Sequence, residues 1–124
     1  MATFHSDVEG IAPTPLPYSQ VVETRELVFT AGQVPFDADG RLVGDDILTQ
    51  ARQALANLVA VLAAAGCGPK DVVKLNCFLS DMADGPGWNE AYREVFEEPF
   101  PARATVGAQL AGFKIEIEAV AQKP

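Results

Sequence analysis

The amino-acid sequence predicts a two-layer α+β domain, in which a mixed β-sheet carries two α-helices on one face. Three observations lead to this prediction: a long central segment with helical periodicity, a shorter one after it, and apolar segments of strand composition flanking both. The predicted order is strand, strand, helix, strand, helix, strand, strand. Since 124 residues without a linker-like stretch is the length of one ordinary domain, residues 1–124 are expected to form a single domain.

Two short segments rich in Val, Thr and Phe begin the predicted sheet. Residues 19–23 and 26–31 are joined by a short polar break, which predicts a β-hairpin. Gly32 then interrupts the second strand. The stretch Asp37-Ala38-Asp39-Gly40 predicts a tight turn, because Asp and Gly favour the local hydrogen bonds and left-handed backbone that turns need. The hairpin is therefore expected to lead into a surface loop.

The first helix is predicted over residues 46–65. Apolar residues recur there at three- and four-residue steps, at Ile47, Ala51, Ala54, Leu58, Val61 and Leu62. That spacing is typical of an amphipathic helix with one face in the core. Either Asp45 or Asp46 is expected to cap its start. Gly66 should cap its end, and Pro69 prevents continuation.

The second half of the chain alternates strand and helix again. Residues 72–79 alternate in polarity and predict a strand, with one side formed by Val73, Leu75, Cys77 and Leu79. A second helix is predicted over residues 88–96, followed by strands around 105–110 and 114–121. A two-layer domain of this kind leaves an apolar sheet face open, and a closed ring of identical copies is the simplest cover. We therefore expect a homo-oligomer.

The charge balance argues against several kinds of partner. Nine Lys and Arg stand against seventeen Asp and Glu, so a formal net charge of -8 repels phosphate backbones and anionic membranes. No cationic start followed by an apolar core opens the chain, and the longest apolar run is too short to cross a bilayer. Cys67 and Cys77 form no metal or disulfide pattern and suit a reducing compartment. We expect a cytoplasmic protein that binds neither nucleic acid nor membrane.

Few residues in the sequence offer cofactor or nucleophile chemistry. The single histidine, His5, lies in the N-terminal segment, far from any residue that it could activate. The Asp37-x-Asp39-Gly40 stretch lacks the later ligands of a calcium loop. Gly66-Cys67-Gly68 follows a predicted helix rather than a strand, unlike a dinucleotide-binding loop. We therefore expect no metal and no organic cofactor.

One arginine and two glutamates remain as candidates. Arg103 stands at the entrance of a predicted strand, where its planar guanidinium suits a carboxylate in two parallel hydrogen bonds. An intersubunit salt bridge explains the same position equally well. Glu116 and Glu118 share one face of the last predicted strand, where a glutamate is either solvated or a general base in a cleft. The pattern alone does not separate these alternatives.

Five short motifs follow one another along the chain. They are Pro17-Tyr18-Ser19-Gln20, Leu27-Val28-Phe29-Thr30-Ala31-Gly32-Gln33-Val34-Pro35, Asn89-Glu90-Ala91-Tyr92, Phe100-Pro101-Ala102-Arg103-Ala104-Thr105-Val106 and Ile115-Glu116-Ile117-Glu118-Ala119-Val120-Ala121. Their order and spacing resemble the RidA (YjgF) family of imine and enamine deaminases over residues 14–121. The resemblance implies a chorismate-mutase-like fold, assembled as a homotrimer with three equivalent clefts between subunits.

The resemblance also implies an activity and its two main residues. The activity is hydrolysis of reactive enamines and imines, such as 2-aminoacrylate, to 2-keto acids and ammonia, without metal or organic cofactor. Arg103 matches the family arginine that binds the substrate carboxylate. Glu116 matches the glutamate that orients and activates the attacking water.

Four further residues match positions around the family cleft. Tyr18 matches a tyrosine that lines it, although core or interface packing is the alternative. Gly32 and Thr105 match positions that approach the ligand carboxylate through the backbone. Asn89 matches another position near the cleft, for which helix capping after Gly87 is the alternative.

The chain departs from the family pattern at three points, which bear on substrate identity. Ala31 stands where many members have Ser, Thr105 stands where many deaminases have Cys, and the loop before Glu116 is shorter. A non-catalytic module that binds small carboxylates, or regulates another protein, through the same clefts is the alternative function. A ribonuclease or translation inhibitor, also associated with the family, would need a basic groove, whereas the cationic residues here are scattered.

Overall fold

The protein, described here by a computed structural model of residues 1–124, forms one six-stranded mixed β-sheet with two α-helices. The strands are β1 (Thr3–His5), β2 (Val21–Glu23), β3 (Leu27–Thr30), β4 (Val72–Leu79), β5 (Ala102–Gly107) and β6 (Ile115–Gln122). The helices are α1 (Ile47–Ala64) and α2 (Gly85–Val95), with short 3-10 turns at Pro69–Asp71 and Met82–Asp84. The α+β class and the predicted order of elements are confirmed. The short strand β1, which the sequence analysis missed, precedes the predicted ones.

The strands lie in the order β1-β2-β3-β6-β4-β5 across the sheet. Strands β4 and β5 run parallel, and every other neighbouring pair runs antiparallel. The two longest strands, β4 and β6, are therefore neighbours in the interior of the sheet, while β5 forms an edge. Strand β4 therefore lies between β5, which carries Arg103, and β6, which carries Glu116.

Helix α1 covers the centre of the sheet, where it packs on β6 and β3. The Asp46 side chain accepts a hydrogen bond of 3.0 Å from the Thr49 backbone N–H and caps the start of α1. Gly66 follows the last turn at a φ of 77°, the left-handed conformation that glycine adopts at least cost. Leu58, Val61 and Leu62 are fully inaccessible to solvent. By length and composition α1 could also cross a membrane, but its buried residues pack as those of a core helix do.

Register divides the side chains of β4 and β6 between two sides of the sheet. The buried pairs, which define the helix side, are Leu75 with Ala119, Cys77 with Ile117 and Leu79 with Ile115. Because successive side chains alternate across a strand, Phe78 and Glu116, which pair with each other, lie on the opposite, open side. No helix covers the open side, and it exposes 42% of Phe29 and 47% of Val106.

The predicted alternation of β4 was wrong at its first residues. The register shifts between Val72 and Lys74, which is a β-bulge or a similar irregularity. Val72 consequently lies on the helix side and is 6% exposed, whereas Val73 is 46% exposed. The polarity pattern alone did not reveal this shift, because both residues are valine.

Helix α2 begins earlier than the sequence analysis expected. Its first residue is Gly85 and its N-cap position is Asp84, so Asn89 lies inside the helix. Helix capping therefore does not explain Asn89. The last two strands also differ from prediction. Strand β5 spans Ala102–Gly107 instead of residues 105–110, and β6 spans Ile115–Gln122 instead of residues 114–121.

Asn57 of α1 fixes the chain that leads away from β3. Its side-chain N–H groups donate hydrogen bonds of 2.8 Å to the carbonyl oxygens of Val34 and Phe36. Gln53 donates a hydrogen bond of 2.9 Å to the amide oxygen of Asn57. Asn57 is only 6% exposed, so these hydrogen bonds are made away from bulk water. They satisfy two carbonyl oxygens that would otherwise need a water molecule as partner.

We predict that Asn57→Ala lowers the free energy of unfolding by about 1–3 kcal/mol, because two carbonyl oxygens lose their partner away from bulk water. Denaturant unfolding followed by circular dichroism measures the change. Ala56→Ser, at the exposed neighbouring position, is the control and should change stability by less than about 0.5 kcal/mol. Equal stability of the two variants would contradict a structural role for Asn57.

Candidate active site

Arg103 lies on the helix side of β5. It pairs with Leu75 of β4, whose side chain is fully buried under the helices. The guanidinium carbon of Arg103 lies 4.7 Å from the centroid of the Tyr92 ring and 5.8 Å from that of Trp88, both on α2. Both distances are within the range of a cation–π interaction. No carboxylate of the chain forms a salt bridge with Arg103.

The guanidinium opens onto a pocket of about 240 Å³ between α2 and the start of β5. The lining residues are Asn89, Tyr92, Arg93, Phe100, Pro101 and Arg103. Two of them are cationic and none is acidic, in a chain of net charge -8. The side-chain oxygen of Asn89 is buried and has no hydrogen-bond partner in the chain. Such a pocket suits a small anion with a hydrogen-bond donor.

Thr105 lies two residues along β5 from Arg103, on the same side of the sheet. Its hydroxyl oxygen accepts a hydrogen bond of 3.3 Å from the indole N–H of Trp88. Its strand neighbour is Cys77, where burial raises the pKa of the thiol to about 12. Cys77 is therefore a neutral thiol at physiological pH and not a nucleophile. Cys67 is also a buried, free cysteine.

Glu116 lies on the open side of β6 and touches the loop after β3. A Cβ atom added at Gly32 would come within 2.8 Å of the carboxyl carbon of Glu116, so any side chain there would displace the carboxylate. Backbone hydrogen bonds of 2.6 and 3.0 Å between Gln33 and Ile117 hold the loop against β6. The absence of a side chain at Gly32 thus makes room for the carboxylate.

The environment of Glu116 disfavours its charged form. Burial, and then repulsion by the Glu118 carboxylate, raise the pKa of Glu116 above its usual value. Glu118 itself accepts a hydrogen bond of 3.3 Å from the Asn76 side chain. A carboxylate with a raised pKa is better suited than an ordinary one to exchange protons near neutral pH.

Tyr18 lies near Gly32 in a second, smaller pocket. This pocket of about 170 Å³ is lined by both residues, and the Tyr18 side chain is 46% exposed. At its base Gln33 donates a buried hydrogen bond of 3.0 Å to Gln20. Because it is this exposed, the Tyr18 side chain is not part of the core of the chain.

The six residues singled out from the sequence form two groups that do not meet within one chain. We call Asn89, Arg103 and Thr105 the arginine half-site, and Tyr18, Gly32 and Glu116 the glutamate half-site. Arg103 and Thr105 lie on the helix side of the sheet, whereas Glu116 lies on the open side. The structure therefore groups the six residues at two separate places. A site that uses both half-sites would need two copies of the chain.

Two residues that contact Arg103 were not predicted from the sequence to lie at the site. Trp88 and Tyr92 were assigned only to the apolar face of a helix, and they do belong to the core, with exposed fractions of 1% and 5%. The spacing of four residues places both rings on one face of α2. Nothing in the sequence indicated that this face would meet Arg103, because that contact joins segments apart in the chain.

The fold and the two half-sites define the protein as a small α+β domain with a cationic pocket on one side of the sheet and a partly buried glutamate on the other. A family model described as Endoribonuclease L-PSP matches residues 10–123. The chain belongs to this family, which is the RidA (YjgF) family that its motifs resemble.

Curated relatives cover most of the chain. It is 44% identical over 116 residues to a RutC family protein of Pyrococcus horikoshii, covering 90% of this chain and 92% of the relative. It is 43% identical over 108 residues to human 2-iminobutanoate/2-iminopropanoate deaminase, covering 85% of this chain and 79% of the relative.

Solved structures share the whole fold. Escherichia coli TdcF with bound serine superposes with a TM-score of 0.90 at 31% identity, covering 98% of this chain and all of that one. RidA from an Antarctic Psychrobacter superposes with a TM-score of 0.89 at 32% identity, covering 97% and 99%. The arrangement of sheet and helices is therefore that of the family.

We predict that Glu116→Gln raises the melting temperature at pH 7. A pKa raised in the folded state means that folding favours the neutral acid, so stability is lost as the pH rises through the folded pKa. Glutamine mimics that neutral form, and its advantage should vanish below about pH 4, where glutamates are protonated in both states. Thermal unfolding across this pH range measures the difference.

Glu9→Gln provides the control, because it removes one charge from an exposed residue outside the site. A melting temperature of Glu116→Gln that stays below that of the wild type at neutral pH would contradict an unfavourable environment for the charged carboxylate.

Proposed function

We propose that the protein hydrolyses reactive 2-imino and 2-enamino acids, such as 2-aminoacrylate, to 2-keto acids and ammonia in the cytoplasm, and so removes damaging metabolites. The observation that carries this proposal is the pair of complementary half-sites. One offers an unpaired guanidinium in a pocket of about 240 Å³, and the other offers a glutamate with a raised pKa beside Gly32. Relatives of 40–43% identity that are named 2-iminobutanoate/2-iminopropanoate deaminase support the same activity.

We propose further that the working unit is a homotrimer in which each cleft joins the arginine half-site of one subunit to the glutamate half-site of its neighbour. Two features support this assembly. The open side of the sheet exposes apolar side chains such as Phe29 and Val106, which a second copy would cover. Strand β5 is an edge, so it has backbone groups free for a neighbour or a ligand.

In the proposed mechanism the enamine first tautomerises to the imine, whose carbon is electrophilic. Arg103 binds the substrate carboxylate through two parallel hydrogen bonds, and this fixes the imine carbon in the cleft. Glu116 accepts a proton from a water molecule as the water oxygen bonds to that carbon. Return of that proton to the imine nitrogen gives a carbinolamine. Transfer of its hydroxyl proton to the amino group then allows the C–N bond to break, which releases ammonia and forms the carbonyl of the keto acid.

The polar groups near Arg103 suit the rest of such a substrate. The buried oxygen of Asn89 can accept a hydrogen bond from the imine or amine nitrogen. Backbone groups at Gly32 and Thr105 are proposed to contact the carboxylate, and Tyr18 to cover the ligand. No strong nucleophile is needed, since a free imine already hydrolyses in water and the required acceleration is modest.

A non-catalytic module that binds small carboxylates is the second candidate. The observation that favours it is the related TdcF structure, which holds serine. Both functions would use Arg103, and they differ in whether Glu116 acts on water. Turnover, rather than binding, therefore decides between them.

The deciding experiment supplies 2-aminoacrylate from a serine or cysteine lyase and follows pyruvate release with and without this protein. We expect a release rate above the spontaneous one and proportional to the amount of protein. Pyruvate release that stays at the spontaneous rate at every protein concentration would contradict the deaminase proposal and favour the binding module.

We predict that Arg103→Ala lowers kcat/KM by about 100-fold or more, because two charge-assisted hydrogen bonds to the substrate are lost. Steady-state kinetics on the generated imine measures the loss, and light scattering checks that the assembly is unchanged. Arg52→Ala is the control, since Arg52 pairs with Glu94 on the outer surface of the helices. An equal loss in both variants would mean that Arg103 acts through stability or net charge.

We predict that Glu116→Gln lowers kcat by about 100-fold or more with little change in KM, because general-base catalysis is lost while carboxylate binding remains. Glu118→Gln, from the same side of β6, should cost far less. A rise in KM at constant kcat would instead assign Glu116 to substrate binding.

A further inference from the structure

The rings of Trp88 and Tyr92 form a continuous aromatic surface on α2, which we call the aromatic shelf. Their centroids lie 5.4 Å apart with an angle of 64° between the planes. Tyr92 also stacks on Phe96, with centroids 4.7 Å apart and planes inclined by 24°. Since all three side chains are at most 5% exposed, the shelf is fixed by the packing of the core.

Arg103 is the polar group that lies over this shelf. Its guanidinium is closer to the Tyr92 ring, at 4.7 Å, than to the Trp88 ring, at 5.8 Å. An arginine is usually held in place by a carboxylate, which also neutralises it and occupies its N–H donors. A ring face attracts the cation through its quadrupole and leaves those donors free for a ligand.

We propose that Tyr92 is a positioning residue for Arg103, and that its aromatic face, together with that of Trp88, fixes the guanidinium for carboxylate binding without neutralising it. This inference rests on the proposed function, in which Arg103 binds the substrate. A long arginine side chain loses rotamer freedom when it binds a ligand. The shelf lowers that loss by holding the guanidinium in place beforehand.

The ring of Tyr92, rather than its hydroxyl group, carries the proposed role. The hydroxyl oxygen is buried and has no hydrogen-bond partner in the chain. Phenylalanine would keep the ring under Arg103 and remove this unpaired group. Tyr92→Phe should therefore retain the positioning that an aliphatic residue loses.

The test compares Tyr92→Leu with Tyr92→Phe in imine hydrolysis and in binding of 2-oxobutanoate, measured by titration calorimetry. For Tyr92→Leu we expect KM and the Kd of 2-oxobutanoate to rise about 3- to 10-fold, with kcat changed less than KM. For Tyr92→Phe we expect both constants to return close to the wild-type values. Equal defects in the two variants would overturn the proposal, because they would assign the effect to the hydroxyl group.

Loss of core packing is separated from loss of positioning in two ways. Phe96→Leu removes a ring of the same cluster that stacks on Tyr92 but makes no cation–π contact with Arg103, so it should lower the melting temperature while leaving KM near wild type. Phenylalanine carrying one, two or three ring fluorines at position 92 weakens the ring quadrupole at nearly constant size. KM should rise with each fluorine, and a KM that is indifferent to fluorination would overturn the proposal.

The failure of this inference is distinguishable from failure of the proposed function. A wild-type protein that neither accelerates imine hydrolysis nor binds 2-oxobutanoate refutes the function itself. A wild-type protein that does both, with an unchanged KM in Tyr92→Leu, refutes only the positioning role of Tyr92.

Discussion

Alternation of side chains along β-strands decides where the chemistry of this protein can take place. Strand β4 lies between β5 and β6, and it pairs Leu75 with Arg103 and Phe78 with Glu116. Leu75 and Phe78 are three residues apart, so they point to opposite sides of the sheet, and so do their partners. A shift of β5 or β6 by one residue against β4 would move the buried side chains of that strand to the other side of the sheet, and the core would lose them. The two charged groups are thus held apart within one chain.

Each half-site lacks what the other provides. The guanidinium of Arg103 lies over aromatic rings and has no carboxylate partner, although the chain carries a net charge of -8. The carboxylate of Glu116 is partly buried beside Gly32 and next to Glu118, and its pKa is raised. A neighbouring copy that covers the open side would bring an anion-binding group toward a proton acceptor. In that arrangement the substrate, rather than a permanent salt bridge, joins the two charges.

Local signals predicted most of the fold, and contacts between distant segments account for what they missed. Helix α1 was found with its cap at Asp46, because periodicity and capping act within a few residues. The shift at Val72 and the strand β1 depend on neighbours in the sheet, which the local pattern does not encode. The same limit applied to the site. Motifs singled out Arg103 and Glu116 as candidates, but only the strand order showed that they lie on opposite sides of the sheet of one chain.

The most direct measurement of this account is complementation between inactive subunits. Arg103→Ala and Glu116→Gln chains, co-expressed with different tags and purified as mixed assemblies, are assayed for imine hydrolysis. Each mixed trimer contains one interface, out of three, that joins an intact arginine to an intact glutamate, so activity should recover toward about a third of the wild-type value. Mixed assemblies verified by mass spectrometry that remain as inactive as either parent would contradict a site shared between two copies.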